Sequence, residues 1–341
     1  MAYISFQPHD YFNTKLWTGN STNSTAITGV GFQPDMVWIK NRSTTDNHAI
    51  FDAIRGATYR IYPNANDAQI QATNSLHSFD SDGFTLNDGG DANGNGENIV
   101  GWNWKANGAG SSNTDGSVTS TVSVSTTSGF SICKFDATGS TMTFGHGLGV
   151  KPAVMFVKRT DSNSNGNWIV YHKNVGATKF LTLNDTSAET TASTRFGDTE
   201  PTSLVATVGS ELLSGGTYIA YCFAQKSGFS SMGSYVGNGS TDGTFVYTGF
   251  APAFIITKIT SGVDSWFMYD NKRSPFNVRG KYLVADGTGT DSNADAYDFL
   301  SNGFKVKSTA TSFNGNGSTY VYMAFAEAPL VSSNGVPAVA R

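Results

Sequence analysis

Three short runs along the chain are apolar at consecutive positions, not at every second one. They are Met36 to Ile39 after Pro34, Val154 to Val157 after Pro152, and Ala253 to Ile256 after Pro252. A glycine stands three residues before each proline (Gly31, Gly149, Gly249), and a lysine stands six residues after it (Lys40, Lys158, Lys258). Short apolar runs bounded by turn residues predict buried strands. Glycine permits the turn before the strand. Proline, lacking an N–H, belongs at the strand's first residue. Met36 and Trp38 point one way and Val37 and Ile39 the other, so both faces of the strand require cover. A two-layer sandwich covers only one face. The other is expected to meet a folded-over loop, a short helix, a neighbouring domain or a second subunit.

The rest of the pattern also recurs. A polar loop follows each lysine, and then a second strand-like run: HAIFD (His48 to Asp52), WIVYH (Trp168 to His172) and WFMYD (Trp266 to Asp270). FDSDGFTL (Phe79 to Leu86) returns as FLSNGFKV (Phe299 to Val306), and SLVATV (Ser203 to Val208) stands in its place in the middle copy. Each copy closes on an alternating strand, ending at Ala106, Gln225 and Glu327, behind a Gly-rich turn. Landmarks in a fixed order predict an internal triplication. The expected fold is all-β, with three tandem β-sandwich domains of jelly-roll or Ig-like size, about 100 residues each. Their expected bounds are 12–107, 129–227 and 232–329, with an N-terminal arm at 1–11 and a C-terminal arm at 330–341. Residues 108–128 read as a Gly/Ser/Thr-rich linker whose second half, VTSTVSVS, could add an edge strand.

Composition supports strands and turns over helices. Charged residues are 14% and aromatics 13% of the 341 residues, and Gly, Ser, Thr and Asn supply the polarity. A net charge of −4 without a basic run argues against nucleic acid. No apolar run approaches the ~20 residues of a membrane helix. The first residues lack a signal-peptide pattern, so synthesis and retention in a cytoplasm, or export without a classical signal, is expected. Cys133 and Cys222 lie in strand-like contexts and read as buried free thiols.

Chemistry-bearing motifs are scarce. The histidines His9, His48, His77, His146 and His172 show no metal-ligand spacing, and no nucleophile elbow or phosphate-binding loop is present. No catalytic residue, cofactor or metal is expected. The segment Asp91 to Gly96 matches half of a calcium loop but has Trp102 in the twelfth position, so it reads as a Gly/Asn hairpin turn. The three lysines read as solubilising strand ends in preference to an anion or glycan site. Asp52 with Arg55, and Asp270 with Arg273, read as local salt bridges ordering turns. Trp17, Tyr59 and Tyr62 are the candidates for stacking on a sugar, the two tyrosines because their region appears in the first copy alone. Trp168 and Trp266 share one alignment position and read as core.

The phrases Gly31 to Arg42, Phe51 to Gly56 and Ser81 to Leu86, together with the ending from Ala324 to Arg341, resemble a family of tandem β-domain proteins encoded among the virion genes of marine bacteriophages. The middle unit departs from it, lacking the DGF phrase and having His172 where the others have Asp. The resemblance implies a non-enzymatic structural protein of the virion, a tail-fibre or appendage component or a capsid decoration. Its implied partners are other virion proteins, copies of itself, for which a trimer would suit an appendage, and a host-surface glycan. A glycan-binding adhesin or lectin-like module is the alternative reading, and a polysaccharide-degrading enzyme ranks third.

Overall fold

The glycine of each repeated phrase has a positive φ, +91° at Gly31, +69° at Gly149 and +85° at Gly249. That is the left-handed region, which a side chain disfavours. The chain then turns into the strands Met36–Asn41, Val154–Arg159 and Pro252–Ile259, called proline strands below. This computed structural model describes residues 6–162, 166–210 and 215–327, plus the short strands Leu330–Val331 and Pro337–Ala338. Most of the expected C-terminal arm, and residues 1–5 of the N-terminal one, lie outside the described residues.

The protein is all-β, built of antiparallel sheets in three units. Each unit has the same four-strand core. An opening strand (Phe12–Thr18, Phe130–Ala137, Ser230–Val236) pairs with the closing strand (Asn98–Trp104, Gly216–Phe223, Thr319–Ala326). The closing strand pairs with the proline strand, which pairs with a partner strand (Ala49–Asp52, Ile169–His172, Phe267–Asp270). In unit one this sheet packs on a second sheet of three strands. In unit two the linker contributes Ser120–Ser125, which pairs with the opening strand. Val205–Val208 there pairs with Met142–Gly145, as Gly83–Leu86 pairs with Thr25–Thr28 in unit one. In unit three eight strands follow one another in a single sheet, a nearly closed barrel.

One face of each proline strand enters its own unit's core. Val37 and Ile39 pack with Phe51 and Phe84, Met155 and Val157 with Tyr171 and Phe144, and Ile255 with Tyr269 and Phe304. The second face is covered by the other two units. Met36, Trp38, Val154, Phe156, Phe254 and Ile256 share one cluster with the closing-strand residues Trp102, Trp104, Tyr221, Phe223, Met323 and Phe325. The three sheets therefore face one another around a central aromatic core with pseudo-threefold symmetry.

Equivalent positions differ in size there, in the combinations Trp38, Phe156, Ile256 and Trp102, Tyr221, Met323. Unlike side chains thus interlock where three identical ones would clash. The void left among them is only ≈ 10 Å³, room for about one water at most. Of the covers the sequence left open for this face, the neighbouring domain is the one present. The face is filled from within the chain, so it supplies no argument for a second copy.

Candidate functional site

The polar residues of the repeat gather at the seams between units. After each partner strand the chain crosses onto the next unit. Gln69 N–H donates to the Thr160 carbonyl at 2.8 Å, Glu189 N–H to Thr260 at 2.9 Å and Asp291 N–H to Arg42 at 3.4 Å. Each acceptor lies two residues past the repeated lysine. Unit one thus reaches unit two, unit two reaches unit three, and unit three returns to unit one.

The lysines belong to these seams and are not exposed strand ends. Lys40, Lys158 and Lys258 are fully buried. Lys158 Nζ donates to the Asn66 carbonyl of unit one at 3.2 Å, and Lys258 Nζ to the Thr186 carbonyl of unit two at 3.1 Å. Lys40 caps its own loop, donating to Asn41 and Thr44 at 2.5 and 3.0 Å. Unit three reaches unit one through Asp291, which accepts from Arg42 at 2.6 Å and from Arg273 at 3.1 Å. Burial holds the amines down, to about 8 for Lys40, about 7 for Lys158 and about 8 for Lys258. The sequence reading failed because their partners are main-chain carbonyls, which have no side-chain signature.

The Asp–Arg pairs are also buried, not surface turns. Arg55 Nε meets Asp52 Oδ2 at 2.5 Å, and Arg273 Nε meets Asp270 Oδ2 at 2.5 Å. Each pair grips the next unit's closing strand. The Tyr221 hydroxyl donates to Asp52 at 2.7 Å. Trp102 Nε1 donates to Asp270 at 3.2 Å, with the Arg273 guanidinium 5.4 Å from its ring centre. In the remaining seam the closing strand carries Met323, which has no N–H or O–H to offer. There His172 faces the Tyr322 carbonyl at 3.3 Å, and burial lowers its pKa to about 4. The exchange of Asp for His in the middle copy thus follows from the neighbour's side chain. Tyr221 and Trp102 were absent from the sequence candidates. The signal was available, because they align with each other and with Met323 on the closing strand.

The aromatics just before the partner strands complete the seams. Trp168 Nε1 donates to the Tyr62 carbonyl and Trp266 Nε1 to the Thr182 carbonyl, both at 2.8 Å. His48 takes this place in unit one. Its Nδ1 accepts from Trp38 Nε1 at 2.9 Å, and its Nε2 is turned to the Val284 carbonyl without reaching hydrogen-bond geometry.

Two of the three stacking candidates, Trp17 and Tyr62, have their rings in internal contacts. Trp17 is half-buried, packs edge-on against Phe84 and donates to the Ala92 carbonyl at 3.0 Å. Tyr62 lies under the Arg60 guanidinium at 5.2 Å, and Tyr59 is half-buried with its carbonyl on Arg55 at 3.1 Å. Their region is not unique to unit one. Ile61 pairs with Ile50 as Leu181 does with Val170 and Leu283 with Met268, so Tyr62 corresponds to Thr182 and Val284. The segment read as a hairpin turn at Asp91 forms a one-turn helix, Gly90–Asn93, with Asp91 held by Arg60 at 2.5 Å. Among the described residues no group of three or more His, Cys, Asp or Glu is placed to hold a metal ion. His146 is buried and accepts from the Leu148 N–H at 3.2 Å. Cys133 and Cys222 are buried free thiols.

Among the described residues, one seam is incompletely filled. Between units one and three a cleft of ≈ 170 Å³ is lined by Asn13 and Thr14 on one side and Asn271, Lys272 and Glu327 on the other. Thr14 Oγ1 and Asn271 Oδ1 are buried there without a partner among the described residues. Thr14 stands where the other opening strands have Ile132 and Met232 in the central core. The volume exceeds that of a cavity able to hold benzene, and its lining can hydrogen-bond a small polar molecule or several waters.

A single family model matches residues 7–329, across all three units and both junctions. The chain belongs to the DUF7483 family. That family is described as a domain of unknown function. No curated protein and no solved structure matches the chain. The DUF7483 match takes in the whole pseudo-threefold body, consistent with a unit that cannot be divided without opening the central core.

Proposed function

We propose that the protein is a non-enzymatic structural component of a bacteriophage particle, displayed as a tail-fibre or appendage element or as a capsid decoration. The observation that supports it best is the closure of three β units on one another through a shared aromatic core and buried polar seams. Such a body holds a fixed shape without a partner, and its pseudo-threefold axis suits a threefold position on a particle. The likeness of its repeated phrases to virion proteins of marine phages supports the same reading. The partners are then neighbouring particle proteins, further copies of the chain and a host-surface glycan. Mass spectrometry of purified particles should detect the protein in stoichiometric amount, and a density map of the particle should place its axis. Absence from purified particles overturns the reading.

A further inference from the structure

Unit two shows how a strand edge in this fold is covered. The inter-unit linker lies along the free edge of Met142–Gly145. Ser117 N–H donates to Thr143 Oγ1 at 2.8 Å, Val118 N–H to the Thr143 carbonyl at 3.2 Å, and Ser120 Oγ to the Gly145 carbonyl at 2.7 Å. Val118 bridges Phe144 in parallel, and Val118 and Val122 pack into the unit's core. Asn113 occupies the space over Gly145, where a Cβ would lie 1.6 Å from its Oδ1.

Among the described residues, unit three has the same edge uncovered. Its strand Phe245–Tyr247 pairs with Gly303–Val306, and Val246 lies opposite Phe304 as Phe144 lies opposite Ala206. Phe245 and Tyr247 therefore correspond to Thr143 and Gly145. Val246 is buried, while Phe245 and Tyr247 are 44% and 68% exposed. Val306 N–H donates to the Thr244 carbonyl and Thr248 N–H to the Asn302 carbonyl, each at 3.0 Å. Alternation then turns the peptide groups of Phe245 and Tyr247 to the outer edge, where no hydrogen bond to them is present among the described residues. Unit one has Ala26 and Thr28 at these positions, small side chains that offer no such platform. The junction before unit three is too short to supply a second linker strand, and the existing linker is consumed in unit two.

We propose that the edge of Phe245–Tyr247 docks an extended strand from a different protein chain. That strand is uncharged, alternates valine with serine or threonine, and runs parallel to Phe245–Tyr247 as the linker does to Met142–Gly145. Main-chain bonds to Phe245 and Tyr247 supply affinity and the two exposed rings cover its side chains, the mode of strand addition. The adjoining ion pair of Lys305 with Asp242 is internally neutral, which agrees with an uncharged occupant.

The probe is a fluorescein-labelled peptide with the sequence of residues 117–125, titrated with the full chain and followed by anisotropy. Saturable binding is expected, weakened about tenfold or more by Tyr247→Lys and by Phe245→Lys. Ala26→Lys at the unit-one edge should leave it unchanged, and so should the fold of all three variants by circular dichroism. A peptide with proline in place of Val118 should not bind. Absence of saturable binding overturns the proposal, as does equal binding by the Tyr247 and Phe245 variants. A dimer of the full chain that Tyr247→Lys dissolves, without peptide binding, overturns it in favour of a second copy as the occupant.

Discussion

The Tyr221 hydroxyl donates to Asp52 Oδ2 at 2.7 Å across 169 residues of chain. It joins the closing strand of unit two to the partner strand of unit one, and Arg55 completes the triad, with Nη2 3.3 Å from the same hydroxyl. All three side chains are buried. Burial acts against the charge on Arg55, but Asp52 and Tyr221 more than offset it, so its pKa stays above the usual arginine value. Burial also raises that of Tyr221.

Removing parts of this triad should give graded costs. Tyr221→Phe leaves the ion pair intact and deletes the hydroxyl's bonds to Asp52 and Arg55, for a loss of about 1–3 kcal/mol. Asp52→Ala strands a buried guanidinium and should cost about 3–5 kcal/mol. A double variant, Asp52→Leu with Arg55→Met, should recover much of that loss, because apolar replacements leave no unpaired charge. Chemical denaturation of the full chain measures all three. Equal losses for Tyr221→Phe and Asp52→Ala would show that the pair contributes nothing beyond the tyrosine contact.

The middle seam tests whether His172 is matched to its neighbour. His172 faces a main-chain carbonyl of the strand that carries Met323. His172→Asp would restore the residue of the other two copies but point a carboxylate at a carbonyl, with no tyrosine or tryptophan to donate. The expected loss is about 3–5 kcal/mol, read as a drop in the denaturation midpoint. His172→Gln keeps a neutral donor and should cost about 1 kcal/mol or less.

The triplication and the all-β class were legible because strand periodicity and Gly–Pro punctuation are local. The double-sided burial of Met36 to Ile39 was legible for the same reason. The cover itself was not, since an apolar face states its need and not its partner. Lys40, Lys158 and Lys258 were misread because a charge after a strand ordinarily marks solvent. Here carbonyls of Asn66 and Thr186, brought from the preceding unit, accept from Lys158 and Lys258. Tyr59 and Tyr62 looked unique only because Tyr62, Thr182 and Val284 share a backbone position but no side-chain chemistry.

The lysines give the fold a pH dependence of definite sign. Their pKa values are about 8, 7 and 8 in the folded chain against 10.5 for an unperturbed lysine. Between these limits each lysine holds more protons in the unfolded chain, so its contribution to stability should rise with pH above about 7 and be lost as pH falls through the folded values, while the buried Cys222 thiol, pushed up by burial, acts with the opposite sign. Each lysine contributes on the order of 1 kcal/mol per pH unit within its window. Thermal melts between pH 7.5 and 9.5 avoid the titration of unfolded histidines below and of tyrosines above. Lys158→Met should raise stability at pH 7.5 and flatten the slope. An unchanged slope in that variant would mean that Lys158 keeps its ordinary pKa.

Cooperativity follows from the shared core. Phe156, Tyr221 and Phe223 of unit two pack against residues of both other units. Unit two alone, residues 129–227, would expose that face along with Trp168 and the buried amine of Lys158. Its own cluster around Phe144 and Tyr171 would then be one half of a sheet's cover, the other half being water. The isolated unit should therefore fail to fold or should aggregate, giving no dispersed amide spectrum. The full chain should melt in one transition with calorimetric and van't Hoff enthalpies that agree, although it exceeds the usual size for two-state behaviour. Trp38→Ala, which empties part of the central core, should shift that whole transition by about 3–5 kcal/mol without splitting it. Independent sandwiches joined by linkers predict the opposite on each count: a folded unit two, separable transitions, and a Trp38 effect confined to one of them.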